Sequence, residues 1–195
     1  MSLLIDAAPT AVEIGGRDWE IRSDFRISIQ FEQLMLDAAV PDDLKLGLAL
    51  ELYYPVPPTD PLAAAERALW FYQCGRPAGR SGKAGGHDPG RVYDYDQDDA
   101  QIYAAFMADY GIDLEACDLH WWKFRALFDG LAPDNLICRI MEWRAADVKA
   151  MKGEQRAYYR RMQKLYALRR PAAEQAKLDE IGRALMGDGN LTGLR

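Results

Sequence analysis

Residues 119–128 read LHWWKFRALF, and on a helix their apolar side chains cover two sides rather than one stripe. A helix of that kind cannot lie on a surface. It must be enclosed, so the rest of the chain has to supply further elements with apolar faces. Asp118 stands where an N-cap belongs, and Asp129-Gly130 closes the segment.

The flanking sequence supplies those faces. Near the start, Val12-Glu13-Ile14 and Trp19-Glu20-Ile21 alternate around Gly15-Gly16-Arg17-Asp18, which predicts a short β-hairpin. Ser23 or Asp24 can cap a helix whose face is Ile27, Phe31, Leu34, Met35 and Ala38, although the alternation of Phe25, Ile27, Ile29 and Phe31 sets a strand against it at the outset. Pro41 ends that helix and Asp42 or Asp43 opens another to about Tyr53. Its leucines at 44, 46, 48, 50 and 52 alternate, but the absence of β-branched residues favours helix. Pro55, Pro57, Pro58 and Pro61 enforce an extended turn, and Thr59 or Asp60 caps a helix over 61–74 with Leu62, Ala65, Leu69 and Tyr72 as its stripe.

The second half reads as a further series of helices. Asp96, Asp98 or Asp99 caps a helix that ends at Tyr110 before Gly111, with Ile102, Tyr103, Phe106, Met107 and Tyr110 on one side. Pro133 or Asp134 opens a helix through about Val148, with Leu136, Ile137, Ile140, Met141 and Ala145 inward. Residues 154–169 follow, with Tyr158, Met162, Leu165 and Tyr166 on one face and Arg156, Arg160 and Lys164 on another. Pro171 starts a last helix to about Met186, and the glycine-rich end 187–195 frays. The expected fold class is therefore mainly all-α, a compact domain of about six to seven helices with a short N-terminal hairpin.

Residues 75–90, GRPAGRSGKAGGHDPG, hold six Gly and two Pro and no aliphatic residue larger than Ala. Such a stretch buries too little apolar surface to offset its ordering entropy. The expected organisation is a hairpin and helices over 1–74, a mobile Gly/Pro-rich loop over 75–91, and a helical part over 92–186. The two helical parts pack as one domain.

Composition excludes several classes. Apolar residues make up 49% of the chain, too many for a disordered tail, and three cysteines without paired spacing do not frame a disulfide mini-protein. Cys74, Cys117 and Cys138 read as free cytosolic thiols. No apolar run is long enough for a membrane span, and the N-terminus carries Asp6 and Glu13 without a basic region, so neither membrane insertion nor a signal peptide is expected. Charge is polarised: net −12 over residues 1–138 and net +7 over 139–170, within an overall −6. An acidic body with a basic helical stretch can attract itself, another copy or an acidic partner.

Motif by motif, no catalytic, cofactor or metal site survives. Gly79-Arg80-Ser81-Gly82-Lys83 has Pro77 and Ala84 where a phosphate loop requires Gly and Ser or Thr. Asp94, Asp96 and Asp98 mimic a calcium loop, but Asp99 and Ala105 occupy its Gly and Glu positions, so the carboxylates read as a helix N-terminus. His87 and His120 have neither a second metal-ligand pair nor a nucleophile in sequence.

Two features point outward. RAYYRRMQKLYALRR, 156–170, interleaves basic and aromatic residues. A solvated amphipathic helix is its plain reading, a protein-binding face the next, and nucleic acid is disfavoured by the acidic body. Trp121 and Trp122 point to different sides of one helix, either as core or with one as a partner anchor. The candidate partner-binding residues are Trp121, Trp122, Tyr158, Tyr159, Arg156, Arg160, Arg161 and Lys164.

Beyond these readings, the succession VYDYDQDDAQIYAAFMADYGIDL (92–114), LHWWKFRALFDGL (119–131), CRIMEWRAADV (138–148) and YYRRMQKLYAL (158–168) resembles the bacteriophage gene product 15 family of long-tailed phages and prophages. LLIDAAP, DFR at 24–26, LYYP at 52–55 and ALWFYQCG at 68–75 extend the likeness over nearly the whole chain. The resemblance brings no catalytic residues. It implies a tail-module protein encoded beside the tape measure, and by analogy a tail assembly chaperone that binds the tape-measure protein or other tail proteins in the host cytoplasm. The alternatives are a minor structural component of the virion tail and a nucleic-acid-binding phage protein; a homo-oligomer is compatible with any of these.

Overall fold

A computed structural model describes residues 3–76 and 90–169. Among these residues the chain forms one antiparallel hairpin, β1 (Ala11–Ile14) and β2 (Arg17–Glu20), and seven helices: α1 (Phe25–Leu36), α2 (Asp42–Tyr53), α3 (Pro61–Tyr72), α4 (Asp99–Tyr110), α5 (Trp121–Asp129), α6 (Leu136–Ala145) and α7 (Gly153–Leu165). The mainly-α expectation holds. The loop at 77–89, the helix over 171–186 and the frayed end lie outside the described residues.

Local chemistry accounts for most boundaries. Gly15 and Gly16 both take positive φ, which turns the hairpin in two residues and pairs Ile14 with Arg17. Asp24 caps α1 by accepting from the Arg26 N–H, and Asp60 caps α3 by accepting from the Leu62 and Ala63 N–H groups, with Pro61 in the first turn. Gly111 ends α4 in the left-handed conformation.

Several expectations are corrected. Asp118 does not cap α5; His120 does, because Trp121 N–H donates to the Ser23 carbonyl and Phe25 N–H to the Leu119 carbonyl, holding 119–120 extended against 23–25. Helix α1 buries Phe25, Ser28 and Phe31, leaves Met35 exposed and ends before Ala38, so its inward face is rotated from the one predicted. Helix α3 stops at Tyr72 where Cys74 adopts φ +57. Helix α6 starts at Leu136 rather than Pro133 or Asp134 and ends at Ala145, and α7 ends at Leu165.

Helix α5 is the enclosed helix its composition demands. Trp121, Trp122, Phe124 and Phe128 are all buried. Phe124 stacks within 16° of parallel on Phe25, Phe106, Trp121 and Phe128, with centroids 4.8, 4.9, 5.7 and 6.1 Å away. The buried Ser28 and Tyr53 hydroxyls bond each other at 2.9 Å, so neither is left unpaired in this core. Arg26 reaches across to the carbonyls of Leu114, Glu115 and Cys117, tying α1 to the segment ahead of α5.

Helix α7 is different. It packs on α6 through a small separate cluster of Ile140, Trp143 and Met162, outside the main core.

Candidate partner-binding surface

Ring contacts and hydrogen bonds to α6 seat α7. Trp143 stacks on Tyr166 at 5.2 Å and meets Tyr158 edge-on at 6.3 Å. Gln163 donates to the carbonyls of Trp143 and Ala146, closing the C-terminus of α6. Tyr159 donates to Glu142 at 2.7 Å. Arg144 donates to the Tyr166 carbonyl, and its guanidinium forms a bidentate pair with the buried Asp98 at 2.6 and 2.9 Å, adding the Val92 carbonyl at 3.0 Å. One arginine thus joins the start of α4, the end of α6 and the residue after α7. Asp98 therefore stands at the N-cap position without a side-chain cap bond. Its carboxylate is used by Arg144 and the Asp94 N–H.

This seating fixes what α7 turns outward. At 100° per residue, Met162, Tyr166 and Tyr159 point to α6, Arg160, Lys164 and Arg161 occupy the opposite arc, and Leu165 and Tyr158 lie on the flank between them. Leu165 is 66% and Tyr158 38% exposed. Arg160, Arg161 and Lys164 form no salt bridge among the described residues. Arg156 is half-buried on the inner side, and its Nε has no hydrogen-bond partner among the described residues.

The candidate residues therefore divide. The structure brings Tyr158, Tyr159, Arg156, Arg160, Arg161 and Lys164 together on α7, with Arg160, Arg161 and Lys164 free to meet a partner and Tyr159 committed to Glu142. It does not bring Trp121 and Trp122 to that surface. They are 1% and 3% exposed, and their indole N–H groups donate to the carbonyls of Tyr72 and Phe71 at 2.8 Å each. The anchor reading of these two tryptophans is withdrawn, since both rings sit in the core and both polar ends are satisfied. Sequence reasoning missed Arg144, Asp98 and Gln163, which hold α7 in place. The bonds that Arg144 and Gln163 make to other elements reach partners 17 to 52 residues away, and no local pattern announces them.

A cleft of about 730 Å³ lies beside α5, with Tyr72, Trp121, Trp122, Arg76, Arg125 and Cys74 among its lining residues. Of its charged groups, Arg125 donates to the Tyr93 and Tyr95 hydroxyls and pairs with Asp129. Burial pushes the Cys74 thiol up to about 11, which favours its protonated form at neutral pH. Among the described residues, no three His, Cys, Asp or Glu side chains cluster to hold a metal, and no helix is long and apolar enough to cross a membrane.

Comparison with known families accounts for the pattern of the whole chain. The family model described as Bacteriophage Gp15 protein matches residues 4–168, from just before the hairpin to just beyond α7. The chain belongs to the bacteriophage Gp15 protein family. The match includes both the enclosed helix α5 and the outlying helix α7, so the basic face is part of the Gp15 unit and not an appendage to it. No curated protein and no solved structure is detectably similar to this Gp15 protein.

Proposed function

We propose that this protein is a non-enzymatic tail-assembly factor, a chaperone that holds the tape-measure protein in soluble form in the host cytoplasm. The observation that carries the reading is the outward face of α7, where three cations without a salt bridge among the described residues adjoin Leu165 and Tyr158. That combination suits protein helices, since cations steer encounter and apolar side chains hold the contact. The tail-module position implied by the family resemblance supplies the client. A tape measure is long and largely helical, with apolar faces that must be shielded until tube protein surrounds it. Many weak contacts along one chain gain from multivalency and can be released one at a time.

Co-expression tests this directly. The tape-measure protein should become soluble in the presence of this chain and co-purify with it, while Arg160→Glu/Arg161→Glu/Lys164→Glu should lower the captured amount. Insoluble tape measure with no co-purification overturns the proposal. Mass spectrometry of purified particles decides against a structural virion component if the chain is absent or substoichiometric.

A further inference from the structure

Helix α2 has an uncovered side of opposite character to α7. Its buried residues are Ala49, Leu50 and Tyr53, on the side that faces α1 and α3. Its outer arc, read at 100° per residue, holds Asp43, Gly47, Glu51, Leu44 and Leu48. Leu44 and Leu48 are 54% and 40% exposed. Lys45 lies off this arc, bonded to Asp42 and to the Met35 carbonyl, and Arg22 sits at the end of the helix, donating to the Glu51 and Leu52 carbonyls. Gly47 stands mid-helix, where glycine is disfavoured, and a Cβ built on it would meet nothing within 4 Å. The fold of a single copy therefore does not require glycine there.

We infer that the outer face of α7 in one copy docks on the outer face of α2 in a second copy of this chain. The faces match in charge, Arg160, Arg161 and Lys164 against Asp43 and Glu51. They match in apolar content, Leu165 and Tyr158 against Leu44 and Leu48. They also match in length, since helices of 12 and 13 residues each span roughly 18–20 Å. Gly47 lets the second helix approach the α2 backbone closely. Among the described residues α7 is seated on α6, and α2 on α1 and α3, which leaves each outer face open to another molecule. The contact is heterologous: every copy offers one α7 and one α2, and copies add head to tail into an open array or a ring. The inference rests on α7 being a contact surface and does not depend on the tape-measure client.

Sedimentation of the purified chain alone tests it. The weight-average mass should rise with protein concentration and fall with added salt. Arg160→Glu/Arg161→Glu/Lys164→Glu and Asp43→Lys/Glu51→Lys should each weaken association at least tenfold. An equimolar mixture of the two should restore it, because acidic α7 then meets basic α2 and native α7 meets native α2. Gly47→Leu, at an open helical position, should leave the melting temperature unchanged or raised and still weaken association. A monomer at every concentration overturns the inference, as does self-association that neither charge reversal nor Gly47→Leu alters. Tape-measure capture by a strictly monomeric chain removes this inference alone; self-association without capture removes only the proposed client.

Discussion

His120 caps α5 with a ring that works only when neutral. Nδ1 accepts the Trp122 N–H at 3.0 Å, and Nε2 donates to the Pro9 carbonyl at 2.9 Å. Burial, and Lys123 nearby, outweigh the Pro9 bond and hold its pKa below the ordinary value of 6.5. Its contribution to stability is whole above that ordinary value and is lost as pH falls through the lower folded one, because a protonated Nδ1 cannot accept. Unfolding midpoints should therefore drop on acidification below about pH 6.5, and His120→Asn, which keeps an acceptor but does not titrate, should flatten that part of the profile. Equal pH profiles for the two proteins would refute this role. Gly75 offers a second residue-scale test. It takes φ +68, and a Cβ there would stand 2.8 Å from Trp122 Cη2 and 3.3 Å from Trp70 Cζ2. Gly75→Ala should cost at least about 1 kcal/mol by denaturant melt, from left-handed strain and crowding together.

The Asp98–Arg144 pair joins elements. Its side chains are nearly sealed from water, so removing one partner strands the other. Arg144→Leu should cost about 3–5 kcal/mol, and Asp98→Leu with Arg144→Leu should recover a good part of that in a double-mutant melt. Single and double variants of equal stability would show the pair to be dispensable. The elements also show what could be read along the chain. Asp60-Pro61 and Gly111 announce helix ends because caps are local chemistry. The start of α5 is misread at Asp118 because the deciding bonds come from Ser23 and Phe25, nearly a hundred residues earlier. The alternating leucines of α2 are more apolar residues than one inward stripe can use. Which of them stay outside depends on where α1 and α3 lie. For α7 the charged arc of Arg160 and Lys164 was legible, since its period is local, but Leu165 turns outward and Arg156 inward, against the face its period predicts. Trp121 and Trp122 were not legible: a helix apolar on two sides must be enclosed, but its sequence does not say by what.

For the molecule as a whole, stability is unevenly distributed. Helix α5 sits in the main core, while α7 is held by one small cluster and a few polar ties. Local opening follows buried contact, so amides of 153–165 should exchange at a lower free energy than those of 121–129 in native-state hydrogen exchange. Equal protection would mean that α7 unfolds only with the body. This division suits an adhesive helix, which can adjust to what it meets while the body keeps its shape.

The pile of near-parallel rings around Phe124, with Tyr72 stacked on Trp121 at 15°, has an optical consequence. Aromatic transitions held at fixed angles in an asymmetric setting couple, and the native chain should show intense near-ultraviolet circular dichroism. That signal reports ring registry rather than helix content, so its loss at a temperature where the far-ultraviolet bands persist would expose a loosened, molten interior.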